Sequence, residues 1–119
     1  MNASNDKRDI WETYASAWRA VTAEDKHAAL AASVSPAARY RDPQNRCAGH
    51  DELVDAMLAF HGQVPGAHFE TQYFLAYDDR SIARWNMLGG DGTVLGQGIS
   101  YGEYGADGKL TTMTGFFET

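Results

Sequence analysis

The sequence predicts an α+β fold, and three observations carry that prediction. Apolar residues recur at helical spacing in the first half, alternation takes over after the VPG segment, Val64 to Gly66, and glycine-bearing turns separate the later alternating runs. Helices first and strands later point to helices packed on a mixed or antiparallel sheet, not to repeated βα units.

The elements follow in order. Residues 9 to 23 predict a helix whose stripe is Ile10, Tyr14, Ala17, Trp18 and Val21. Residues 1–8 read as a polar tail and 9–119 as one domain. After the polar stretch Thr22 to Lys26, Asp25 is placed to cap a short second helix carrying Ala29, Leu30 and Val34, which Pro36 ends. Ala37 to Asp42 alternates: Ala38, Tyr40 and Asp42 share one face, and Arg39 and Arg41 share the other. Two arginines mark their own side as solvent, so Asp42 falls on the inner face with Tyr40. Pro43 to Gly49 reads as a polar loop.

Asp51 to Gly62 predicts a third helix, with Asp51 and Glu52 at its positive end and Leu53, Met57, Phe60 and His61 on one face. Four strands then form a meander. His68 to Tyr77 carries Phe69, Tyr73, Leu75 and Tyr77 on one side, and Ile82 to Leu88 carries Ala83, Trp85 and Met87. Gly89 to Gly92 turns the chain into a long strand, Thr93 to Tyr104, and Ala106-Asp107-Gly108 turns it into the last, Leu110 to Phe117.

Composition narrows the function classes. Ten Lys and Arg against sixteen Asp and Glu give a net charge of −6, without the basic footprint a nucleic acid or anionic membrane requires. The polar opening MNASNDKRD, with no long apolar run after it, argues against a signal peptide and a membrane span. One cysteine, Cys47, has no internal disulfide partner, and the expected location is the cytoplasm. His27, His50, His61 and His68 lack ligand-like spacing, so no metal site is expected. The GGDG run lies between strands with no helix to receive a phosphate.

The order of elements, YRDP (Tyr40 to Pro43), VPGAHF (Val64 to Phe69) and the closing ADGKLTTMTGFF (Ala106 to Phe117) together resemble the nuclear transport factor 2-like superfamily, in its SnoaL-like branch. The resemblance runs from Trp11 to Phe117. It implies a cone-shaped, strongly curved sheet closed by three helices, a cystatin-like α+β roll, with homodimers formed through the outer face of the sheet. Ile99 and Tyr101 are candidates for that face. Ketosteroid isomerase, in the same superfamily, implies roles for three residues. Its general base is an Asp in an Asp-Pro pair, matching Asp42. A first-helix Tyr that donates to the oxyanion aligns with Tyr14. A protonated Asp falls on Ser100, where a hydroxyl stands instead.

The chemistry of those residues allows two readings. A carboxylate in apolar surroundings can take a proton next to a carbonyl, with a hydroxyl donating to the oxygen where charge develops. Equally, Asp before Pro is a common turn residue, and a buried Tyr commonly belongs to the core. Trp18, Tyr40, Met57, Phe60, His61, Trp85, Met87, Met113 and Phe117 are candidates to line a pocket or to fill a core. Gly96, Gly98 and Gly102 favour the pocket, because glycines inside a strand leave room; Gly98 is the one counted with the lining. The expected function is a cofactor-independent isomerase or cyclase acting on a small apolar carbonyl compound. A carrier of a hydrophobic ligand and a dimerising scaffold with a filled core are the alternatives.

Overall fold

The computed structural model describes residues 3–118. Its elements are α1 (Ala3–Arg19), α2 (Ala23–Ser33), β1 (Val34–Arg41), β2 (Arg46–Ala48), α3 (Gly49–Gln63), β3 (His68–Tyr77), β4 (Arg80–Leu88), β5 (Val94–Tyr104) and β6 (Leu110–Phe117). The six strands form one sheet in the order β2-β1-β6-β5-β4-β3. The predicted meander is its β3 to β6 half; β1 joins parallel to β6, and β2 pairs antiparallel to β1. The sheet is therefore mixed and open, with β2 and β3 at its edges. Register shifts interrupt four of the five pairings, and such bulges bend a sheet and increase its twist. All three helices pack on the inner face.

Several boundaries differ from the sequence reading. Residues 3–8, expected in a polar tail, belong to α1, which ends at Arg19 instead of residue 23. At that end stands Lys26, a fully buried lysine whose ammonium donates to the carbonyls of Ala17 and Ala20. Polar groups left unpaired at the helix end are thereby satisfied, and Val21 becomes exposed instead of continuing the stripe. Thr22, not Asp25, caps α2; its hydroxyl accepts from the Asp25 amide at 3.1 Å. Pro36 does not end that helix, which stops at Ser33; it lies in β1, at the shift between Val34 and Arg39 where a ladder bond is already missing.

The segment expected to be a loop contains β2, too short to show alternation, and it buries Cys47. In β3 a bulge between Thr71 and Tyr73 reverses the facing. Phe69 packs inward, whereas Tyr73, Leu75 and Tyr77 turn outward. A single alternating face through all four residues is thus corrected by one extra residue. No described helix is long and apolar enough to cross a membrane.

Candidate active site

Between the helices and the inner face of the sheet lies a cavity of about 350 Å3. Its exposed lining residues, Gln44, Ala59, Gln63 and Phe117, mark the opening. Aromatic rings form a connected part of the wall. Trp18 meets Phe60 and Phe69 edge-on at 5.6 and 5.7 Å, Phe69 meets Trp85 at 4.9 Å, and Trp85 meets Phe117 at 5.7 Å. Edge-to-face rings of this kind fix one another's orientation, so the wall is preformed.

The polar part of the wall gathers around β1, β5 and β6. Asp42 follows the last residue of β1, and the turn into β2 closes on it, its amide donating to the Asn45 carbonyl at 3.0 Å. The Asp42 Oδ1 atom accepts the amides of Gln44 and Asn45, both at 2.8 Å, and the Asn45 side-chain amide at 3.2 Å. The Tyr40 phenol donates to Oδ2, which also receives the Asn45 side-chain amide at 3.3 Å. Asp42 is thus at once a turn residue and a cavity residue.

Tyr14 and Ser100 share one arrangement. Each hydroxyl oxygen accepts an indole N–H at 3.0 Å, Tyr14 from Trp18 and Ser100 from Trp85. A hydroxyl is one donor and two acceptor sites, so each keeps its proton for something else in the cavity it lines. Burial pushes the Tyr14 phenol well above its ordinary value near 10, against the opposing effect of the Trp18 bond and with the Asp42 charge adding to it. The Tyr40 phenol is driven up further, by burial first, then by Tyr14 and by its bond to Asp42. Both phenols are neutral donors across the physiological range.

Gly115 on β6 lies between these groups. A Cβ there would stand 3.5 Å from the Asp42 Cβ, 3.8 Å from the Ser100 hydroxyl and 3.9 Å from the Tyr40 hydroxyl. The missing side chain leaves a space that a carboxylate and two hydroxyls border.

Of the residues expected at the site, Asp42, Tyr14, Ser100, Trp18, Tyr40, Phe60, Trp85, Met87, Met113 and Phe117 line this cavity. Three others stand elsewhere. Met57 is fully buried in the core beneath α3. The His61 ring bonds the Ala67 carbonyl through Nε2 at 3.0 Å and meets the Lys26 ammonium through Nδ1 at 3.4 Å. Carbonyls only accept and ammoniums only donate, so the ring carries its proton on Nε2 and ties α3 to α2 and the turn before β3. A Cβ at Gly98 would fall 2.3 Å from the Phe116 carbonyl and 2.4 Å from the Trp85 ring. The room beside Gly98 is filled by Trp85, as that beside Gly102 is by Leu110, whose Cδ2 would lie 2.8 Å from an added Cβ. Gly98 and Gly102 seat core side chains, Gly96 stands in ordinary contact with Met87, and the glycine that opens the cavity is Gly115. Sequence reasoning also passed over Trp11, Phe69 and Asn45. Trp11 was visible at three and seven residues before Tyr14 and Trp18, whereas Phe69 was hidden by the bulge. Among the described residues, no three His, Cys, Asp or Glu side chains stand together as a metal site would require.

The SnoaL-like domain family model matches residues 12–113. The chain belongs to the SnoaL-like family. Among solved structures, a proposed SnoaL-like isomerase from Agrobacterium tumefaciens superposes with a TM-score of 0.89 at 19% identity, over 97% of this chain and 99% of that one. A proposed polyketide cyclase from Sinorhizobium meliloti gives 0.72 at 18% identity, over 90% and 93%. A protein with a cystatin-like fold from Methylobium petroleophilum, of unknown function, gives 0.78 at 13% identity, over 98% and 78%. These likenesses are of fold. No curated protein matches the chain.

Proposed function

We propose that this SnoaL-like domain binds a small apolar molecule bearing a carbonyl group and removes a proton from the carbon next to it, with Asp42 as base. The observation that carries the reading is the grouping of Asp42, Ser100 and Tyr40 around the space at Gly115, in a cavity whose wall also carries several aromatic rings. A closed apolar cavity of about 150 Å3 accepts benzene; about 350 Å3 therefore suits a mono- or bicyclic ligand. The Asp42 carboxylate takes the proton, the electron pair of the broken C–H bond forms the C=C bond of the enolate, and the carbonyl π pair moves onto its oxygen. The Tyr14 and Ser100 hydroxyls donate to that oxygen as its charge grows, which is where prepositioned donors act most strongly. Return of the proton to another carbon is an isomerisation; attack of the enolate on a second carbonyl is a cyclisation. The isomerase and cyclase descriptions of the Agrobacterium and Sinorhizobium proteins accord with both outcomes.

One observation favours a second reading, a binding module without catalysis: Asp42 already accepts two backbone amides and the Tyr40 phenol. Exchange of solvent deuterium into a bound ketone separates the two, since only the first reading requires the Asp42 carboxylate for exchange.

A further inference from the structure

On the outer face of the sheet, away from the cavity, three arginines stand together in an arrangement that costs stability unless something neutralises it. Arg41 on β1 pairs directly with Arg46 on β2, and Arg39 lies two residues along on the same face. Like charges directly opposite each other across two strands are destabilising. The chain has sixteen acidic residues to ten basic ones, yet among the described residues none of these three arginines makes an ion pair or a side-chain hydrogen bond. All three are exposed. They line a groove of about 580 Å3 that also holds Thr112 and Thr114, cross-strand partners of Arg39 and Arg41. The acid bordering the groove, Glu52, has Oε1 engaged with the Ala48 amide at 2.9 Å and leaves the guanidiniums uncompensated.

We propose that this groove is an oxyanion-binding site for a phosphate group, held by the guanidiniums of Arg39, Arg41 and Arg46 with the hydroxyls of Thr112 and Thr114 beside them. A guanidinium offers a planar fork of donors that matches phosphate oxygens two at a time. Two such forks facing each other across a strand pair, with a third alongside, surround a tetrahedral dianion better than any single arginine can. Binding removes the repulsion in the same step that it forms the bonds. Arg39 and Arg41 alternate with Tyr40 along β1, so their guanidiniums stand on the other side of the sheet from Asp42, while Tyr40, Met113 and Thr114 border both the groove and the cavity.

The test uses the whole chain in a phosphate-free buffer, titrated with inorganic phosphate and, separately, with phenyl phosphate. Chloride at matched ionic strength serves as the control. The expected result is saturable one-to-one binding in calorimetry, with shifts of the Arg39, Arg41 and Arg46 Nε–H resonances and not of Arg80. The double variant Arg41→Gln/Arg46→Gln weakens binding at least tenfold. Tighter binding of the ester identifies a phosphorylated small molecule as the ligand, and equal binding identifies free phosphate. Arg46→Gln alone, with no anion present, raises the thermal midpoint by removing the like-charge pair. Binding unchanged by the double variant overturns the proposal. Shifts that chloride reproduces also overturn it, leaving the arginines as charges that keep the β2 edge from pairing with other chains.

Discussion

Trp85 donates its indole N–H to the Ser100 hydroxyl at 3.0 Å, and that bond frees the hydroxyl proton for the cavity. The serine therefore holds the Trp85 ring and keeps a donor for the cavity. Ser100→Ala leaves a buried indole donor unpaired, which costs about 1–3 kcal/mol. Urea denaturation is expected to show that loss. A Trp85→Phe/Ser100→Ala double variant, lacking both partners, is expected to recover part of it.

Gly115 separates steric occupation of the site from damage to the fold. Its backbone is outside the left-handed region, and the contacts of an added Cβ, 3.5 to 3.9 Å, are ordinary ones. Gly115→Ala is expected to fold with stability changed by less than about 1 kcal/mol. Its methyl group occupies the space between Asp42 and Ser100, so ketone exchange is expected to fall roughly tenfold or more, as misplacement by an ångström commonly costs. Gly115→Val, filling the space, is expected to abolish it.

Buried phenols predict a particular alkaline limit. Tyr14 and Tyr40 are raised well above the ordinary tyrosine value, and Tyr104, buried with its hydroxyl 2.7 Å from Ser81, is pushed up to about 12. In the unfolded chain all three lose protons near pH 10 while the folded chain keeps them. The unfolded state then binds fewer protons, and stability falls as pH rises. The slope approaches about 4 kcal/mol per pH unit between roughly pH 10 and 12, and eases once Tyr104 ionises in the folded state. Lys26, whose ammonium burial disfavours, works in the opposite direction below the ordinary lysine range. Denaturation midpoints at pH 9, 10 and 11 are expected to show the decline, with Tyr104→Phe shallower by about one proton.

The outer sheet face bears on assembly. Tyr73, Leu75 and Phe116 are exposed at 43%, 60% and 57%. They share that face with Ile99 and Tyr101 across β3 to β6, and the region meets the arginine groove at β6, where Tyr101 pairs with Thr114. We propose that two copies pair through this apolar region. Sedimentation at micromolar concentration is expected to give a dimer, and Leu75→Glu/Phe116→Glu a monomer. A monomeric wild-type chain would remove the proposal.

How legible the molecule was depends on whether a feature is local. Alternation through Arg39, Tyr40 and Arg41 placed Asp42 on the inner side, because each residue in a strand faces opposite to its neighbours. The helix stripe through Tyr14 and Trp18 was visible for the same reason. Tertiary events were hidden. The carbonyls at the end of α1 are capped by Lys26 reaching back from α2, and the facing of β3 depends on one bulged residue. The emptiness beside Gly115, against the fullness beside Gly98, depends on where Trp85 lies. The family resemblance supplied a precedent for Asp42, and the hydrogen bonds around it supplied the competing turn role.

In the proposed reaction the Asp42 carboxylate acts as a base on a ketone bound against Gly115. Deuterium incorporation at the α-carbon of 2-tetralone, followed by NMR in heavy water, tests it directly. Binding is monitored in parallel by quenching of tryptophan fluorescence. The wild-type chain is expected to exceed the buffer rate, and Asp42→Asn to lose roughly a hundredfold or more while still binding the ketone. Equal exchange in the two proteins, or a wild-type chain that binds the ketone without accelerating exchange, would contradict the account.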